Sequence, residues 1–173
     1  IWRICFDPRT AAPAVENGAE AISPAKRREL EEALGYQFRD RALLDNALCH
    51  RSHLQVTGGH PGTSNERLEV LGDAVLRLVV NDFLYRRYSQ LSEGDLTKIK
   101  SSLVCGTRLS EVASGLSLGT YIQMSRAEAA TGGRLRSSIL ADATEALIGA
   151  VYLDGGIDAA TSVVETLLLA DCE

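Results

Sequence analysis

Aromatic side chains are scarce. Phe, Tyr and Trp together make only 5% of the 173 residues, so Leu, Ala, Val and Ile must fill the core, which favours helices over a β-sandwich. The four cysteines, Cys5, Cys49, Cys105 and Cys172, are scattered without a C-x-x-C pair, and no histidine stands at ligand spacing from them. Neither a zinc site nor a disulfide framework is indicated. No uncharged apolar run reaches the roughly 18 residues of a membrane span, and the first 20 residues lack a basic start followed by an apolar stretch. The chain is therefore expected to be soluble and cytoplasmic, with no membrane partner. Positive charge is in deficit, 18 Lys and Arg against 23 Asp and Glu for a net charge of −5. That balance argues against nucleic-acid binding through an overall positive field and leaves only local basic patches. Catalytic signatures are missing too: there is no G-x-S-x-G elbow, no G-x-x-x-x-G-K loop and no H-E-x-x-H. With Ile1 at its start and a single Met, Met124, the chain is expected to be a stretch of a longer product.

What is present suits one domain, with 45% apolar and 24% charged residues. Residues 1–23 mix Pro, Gly, Ala and acids without a period and read as a tail or interdomain segment, holding Trp2 and Phe6; residues 24–173 form the domain. Ser23-Pro24 opens a helix that Gly35 stops. A second helix is expected from Asp40 to about Cys49, and residues 57–62, rich in Gly and Pro, form a loop. A long helix follows over about 64–88, with Thr63 and Glu66 as a capping box, then one opened by Ser92 and running to about Val104. Shorter helices are expected at 107–115 and 126–131. A long apolar helix over about 135–153 closes at Asp154-Gly155-Gly156, and a last one spans about 157–169. Without strand alternation or an internal repeat, the class is all-α.

Four carboxylates break this pattern. In Arg67-Leu68-Glu69-Val70-Leu71-Gly72-Asp73, within a helix apolar nearly all round, as if enclosed by others, Glu69 and Asp73 stand at i and i+4 on one stripe. In Ile139-Leu140-Ala141-Asp142-Ala143-Thr144-Glu145, Asp142 and Glu145 stand at i and i+3 among apolar neighbours. Burying a lone carboxylate costs several kcal/mol, so such a set must be protonated, paired with cations or bound to metal. Oxygen-only donors select hard ions, Mg²⁺ first and Mn²⁺ second. Two structural alternatives compete: Asp142 and Glu145 as a D-x-x-E capping box, and Glu69 and Asp73 paired with Arg67 and Arg77 on a partly exposed face. His50 and His53 read as helix-terminal contacts, Glu93 as a first-turn acid and Lys98 and Lys100 as a solvated face.

The stretch Asn65-Glu66-Arg67-Leu68-Glu69-Val70-Leu71-Gly72-Asp73-Ala74-Val75-Leu76 resembles the signature of ribonuclease III endonuclease domains. His50-Arg51-Ser52, Glu93-Gly94-Asp95-Leu96, Leu103-Val104 and Ser138 through Asp142 to Leu147 follow the family's order. The resemblance implies an all-helical homodimer that cuts both strands of double-stranded RNA, leaving 5′-phosphate and 3′-hydroxyl ends. It assigns Glu69, Asp73, Asp142 and Glu145 to a Mg²⁺ site, with Asp73 and Glu145 catalytic, and places Glu66 and Glu93 as further acids near the dimer cleft. Lys98, Lys100, Arg108, Arg134 and Arg136 are the candidate RNA contacts. Val70 stands where the family very often has Phe, and Cys49 where it usually has Thr. Two rival readings are a non-catalytic RNA- or ribonucleoprotein-binding member, which loss of a carboxylate would mark, and a helical scaffold with buried ion pairs.

Overall fold

The computed structural model describes residues 22–170; the expected tail, with Trp2 and Phe6, lies outside them except for Ile22 and Ser23. Eight α-helices are described: α1 Pro24–Leu34, α2 Arg41–Ala47, α3 Arg51–Thr57, α4 Glu66–Arg87, α5 Glu93–Leu103, α6 Gly106–Gly115, α7 Arg126–Ala130 and α8 Ser137–Val164. Among the described residues there is no strand, only one isolated bridge between Cys49 and Gln123.

Most ends are set by local chemistry. Ser23 accepts from Lys26 N–H and Pro24 takes the first helical position; Asp40, Ser92 and Ser125 cap α2, α5 and α7 in the same way. Two boundaries differ from expectation. The segment after Cys49 forms a helix of its own, α3, because His50 Nδ1 accepts from Ser52 N–H and serves as the cap. The start of α4 falls at Asn65, so Thr63 and Glu66 make no capping box; Thr63 Oγ1 instead donates to the His60 carbonyl at 2.7 Å. The break expected at Asp154-Gly155-Gly156 is present: Gly156 takes φ 78° and ψ −172°, a non-helical backbone that favours glycine, and a further stretch of helix begins beyond it within the span Ser137–Val164.

The enclosed element is α8, not α4. Ile139–Ala141, Ala143, Thr144 and Ala146–Val151 of α8 are all buried, against α2, α4 and α6. By length and composition α8 and its last turns, Ser137–Leu169, would suffice to cross a membrane; here that apolar length forms the core. The α4 helix buries Leu68, Val75, Leu76, Val79, Val80 and Leu84 on one side, while Val70, Leu78 and Tyr85 on its other side are 72%, 58% and 76% exposed. A second apolar face, which one chain does not cover, accounts for the all-round apolar pattern of α4.

The turn between α1 and α2 is tied to α8. Asp154 accepts from the Tyr36 hydroxyl at 2.7 Å and from the N–H groups of Arg39 and Asp40 at 2.9 and 2.8 Å.

Candidate active site

The first turns of α4 lie against the third turn of α8, and the contact is backbone to backbone. A Cβ added to Gly72 would stand 1.7 Å from the Glu145 carbonyl oxygen, and one added to Gly149 would stand 2.4 Å from that of Leu68. Only glycine permits this approach. It brings Glu69 from α4 and Asp142 and Glu145 from α8 together, with one carboxylate oxygen of each lying within 4.8 Å of the others.

The helix α8 starts at Ser137, five residues before Asp142, so the capping-box alternative fails for Asp142 and Glu145. The ion-pair alternative holds for half of its residues. Arg77 Nε donates to both carboxylate oxygens of Asp73, at 2.7 and 2.9 Å, whereas Glu69 has no salt bridge among the described residues. Three of the four expected carboxylates are thus brought together, and Asp73 is turned to its own helix. Burial pushes Glu145 up to about 7, reinforced by the negative charges of Asp73, Glu69 and Asp142. Burial likewise raises Glu69, with Asp142 and Glu66 adding to it, and raises Asp142 against the opposing pull of His50 and Arg51. All three are short of positive charge. Half-buried oxygen donors on two rigid helices, each better off with a cation between them, fit a hard divalent ion.

Beside Glu69 and Asp142 opens a polar cavity of about 270 Å³, lined also by His50, Arg51, Asn65, Glu66, Glu128, Arg136 and Ser138. Glu66 accepts from Ser64 Oγ at 2.9 Å and faces Arg51 at 3.6 Å, whereas Glu93 stands outside this lining, at the start of α5, accepting from Thr97 Oγ1. The cations expected to meet RNA are mostly engaged. Arg136 is bound to Glu128, Lys98 to Asp95 at 3.2 Å and Arg108 to Glu111 at 3.6 Å; Arg134 donates to the carbonyls of Gly119 and Ile122 at 2.7 and 3.0 Å. Lys100 sits in the last turn of α5. Sequence reasoning read His50 as a helix-terminal contact and gave Arg51, Asn65 and Glu128 no role of their own. His50 does cap α3, and it also lines the cavity, where burial lowers its proton affinity. The signal lay in His50-Arg51 and Asn65, which were seen only as letters of a motif.

Fold and site define an all-helical domain with a carboxylate cluster suited to a hard divalent cation. The ribonuclease-III-like family model matches residues 40–172, and the chain belongs to that family. It is 48% identical over 166 residues to ribonuclease 3 of Streptomyces coelicolor, covering 91% of this chain and 59% of that protein. It is 51% identical over 146 residues to ribonuclease 3 of Thermobifida fusca, covering 84% and 60%. A structure of the nuclease domain of ribonuclease III from Campylobacter jejuni superposes with a TM-score of 0.76 at 41% identity, covering 83% of this chain and 94% of that one. A second structure of that domain, described for flexibility in a region involved in dimer formation, gives 0.73 at 41% identity over 80% and 96%. The chain spans about three-fifths of the length of these curated relatives.

Proposed function

We propose that this domain is a cytoplasmic endoribonuclease that hydrolyses phosphodiester bonds of double-stranded RNA, leaves 5′-phosphate and 3′-hydroxyl ends, and works as a homodimer. The observation that carries the reading is the cluster itself: Glu69, Asp142 and Glu145 within 4.8 Å, each with raised proton affinity, in a member of this family. These three would hold Mg²⁺, with Mn²⁺ as substitute, and Asp73 joins them as the fourth ligand on the stripe of Glu69. A divalent ion bound there supplies charge stabilisation at phosphorus and acidifies water for in-line displacement.

The chain's own residues supply the rest. Glu145 and Asp73 are the proposed catalytic pair, and Asp73 already raises Glu145 through space. Glu66 keeps Arg51 at the rim, and Glu93 provides a further acid near the cleft between protomers. The exposed face of α4, with Val70, Leu78 and Tyr85, is where the second protomer seats. RNA phosphates meet Lys98, Lys100, Arg108, Arg134 and Arg136, of which Lys100 has no ion pair among the described residues and the others have internal contacts to exchange.

The purified chain, given a long perfect RNA duplex, is expected to cut it only with Mg²⁺ or Mn²⁺ and to leave ligatable 5′-phosphates. Binding without cutting under those conditions would support the non-catalytic alternative, against which the presence of all four carboxylates stands.

A further inference from the structure

His50 is tied down along one edge of its ring only. Its main chain is pinned, with the N–H donating to the Gln123 carbonyl and the carbonyl accepting from His53 N–H, both at 2.9 Å. Nδ1 lies 3.3 Å from Ser52 N and 2.8 Å from Ser52 Oγ. An amide N–H can only donate, so Nδ1 offers its lone pair, and the short contact to Oγ is the Ser52 hydroxyl donating to the ring. The same oxygen, on a residue only 8% exposed, accepts the Ser125 N–H at 3.0 Å. Every partner in this knot agrees on one state, the neutral ring with its hydrogen on Nε2.

That hydrogen has no acceptor within the chain. Among the described residues Nε2 has no hydrogen-bond partner, and it is not sealed as the unpaired Nε2 of His53 and Nδ2 of Asn65 are. The half-buried ring lines the polar cavity beside Glu69 and Asp142, and the charges that act on it, those of Glu128, Arg51, Asp142 and Glu66, all stand in the wall of that cavity. With Nδ1 held by Ser52 behind it, the ring shows the cavity its Nε2–H.

Charge decides what meets such a donor. Four carboxylates line the cavity, and its two guanidiniums are already in ion pairs, Arg51 with Glu66 at 3.6 Å and Arg136 with Glu128. A divalent ion held by Glu69, Asp142 and Glu145 turns this wall from one that repels a phosphodiester into one that attracts it. A further oxygen of that phosphodiester then calls for a donor that brings no positive charge beside the ion, since an imidazolium would compete with the ion for the same carboxylates. A neutral N–H on a fixed ring meets that requirement.

We propose that His50, locked by Ser52 with its hydrogen on Nε2, is a further substrate-contacting residue whose Nε2–H donates to a non-bridging phosphate oxygen of the RNA strand seated against Glu69 and Asp142. The inference rests on the RNA-cleavage reading above.

The test uses the full 173-residue chain. Long-range proton–nitrogen NMR of the ion-free protein at neutral pH is expected to show His50 with a bare Nδ1 and a protonated Nε2; the opposite tautomer overturns the proposal. Two substitutions then separate the edges of the ring. Asparagine sets its carbonyl oxygen near the place of Nδ1 and is a good cap, so His50→Asn keeps the bond from Ser52 N–H and deletes the donor in the cavity. Glutamine reaches about as far as Nε2 with its amide nitrogen, so His50→Gln restores a donor and gives up the cap. His50→Asn is expected to melt no lower than His50→Gln, yet to cut an RNA duplex in Mg²⁺ about tenfold to a hundredfold more slowly than wild type in single turnover, as loss of one hydrogen bond to a charged group requires. His50→Gln is expected to recover part of that rate. A purely structural histidine would leave His50→Asn the faster variant or both at the wild-type rate, and either result overturns the proposal.

Duplexes with one sulfur in place of a non-bridging oxygen near the cut locate the acceptor. One such position is expected to slow wild type severalfold, to stay slow in Mn²⁺, which would rescue an oxygen bound to the ion, and to slow His50→Asn no further. Rescue by Mn²⁺ at every sensitive position, or full sensitivity in His50→Asn, overturns the proposal. Wild-type chain that cuts no RNA duplex in either ion overturns the cleavage reading and this inference together, whereas cutting without the coupling overturns the inference alone.

Discussion

Gly72 of α4 packs directly on the main chain of Glu145 in α8, so closely that a methyl group at Gly72 would sit 1.7 Å from the Glu145 carbonyl oxygen. The atom it would meet is backbone inside a buried helix and has no rotamer through which to yield. The same contact sets how far apart the carboxylates of Glu69 and Glu145 stand. Gly72→Ala should therefore destabilise the domain by about 3 kcal/mol or more, at the upper end of overpacking effects, and abolish cleavage by any fraction that still folds. Urea unfolding gives the first quantity; a midpoint within error of wild type would show that α4 and α8 are free to part.

Glu145 carries a pH signature. Its carboxyl is raised to about 7 in the fold against an ordinary value of 4.5, chiefly by burial, so between these values the folded state binds the proton that the unfolded chain has released. Stability of the ion-free domain is then fullest below about pH 4.5 and falls as pH rises toward 7. Glu69 and Asp142, shifted the same way, add to the fall. In chelator, the melting temperature should drop between pH 5 and pH 8. Glu145→Gln should flatten that slope and abolish cleavage while leaving the fold and dimer intact. A wild-type melting temperature that climbs across this range contradicts the assignment.

Val70 offers a test of assembly. It is 72% exposed on the face of α4 that also presents Leu78 and Tyr85. Val70→Asp should give monomers at micromolar protein by sedimentation velocity, and the larger Val70→Phe should lower the dissociation constant by about tenfold or more, in line with roughly 1–3 kcal/mol for a filled socket. Wild type sedimenting only as monomer at these concentrations removes the homodimer from the proposal.

Salt should act strongly on activity. With a net charge of −5 and most candidate cations already paired, the chain holds RNA through few phosphate contacts. Raising salt from about 50 to 200 mM should cut affinity by roughly ten- to a hundredfold, as a few phosphate contacts require, and a DNA duplex should be spared. Cleavage that ignores this change in salt, or that treats DNA and RNA alike, contradicts the proposed mode of binding.

Much of this architecture is legible residue by residue, because it rests on local chemistry. Gly35 ends α1 with φ 68°, and Ser92 opens α5 by accepting from Asp95 N–H. The spacings of Glu69 with Asp73 and of Asp142 with Glu145 place each pair on one helix face. What depends on distant partners is hidden. The i, i+4 pairing of Asp73 with Arg77 is local and legible, but that it prevails over a shared site depends on where α8 places its own carboxylates. The enclosure of α8 and not α4 follows from tertiary packing, since both helices are apolar enough to be buried. The helix α3 escapes notice because it is one short stretch capped by a histidine, whereas the helix break at Gly156 is legible from its two adjacent glycines.

The bond between Tyr36 and Asp154 spans 118 positions of sequence. Asp154 gathers two further donors from the turn between α1 and α2, so the first helices are latched to the far end of the core helix. Residues 36–40 and residue 154 let go together. The long-range contact also delays completion of the fold until nearly the whole domain has left the ribosome, which ties the domain's birth to a single late, cooperative step.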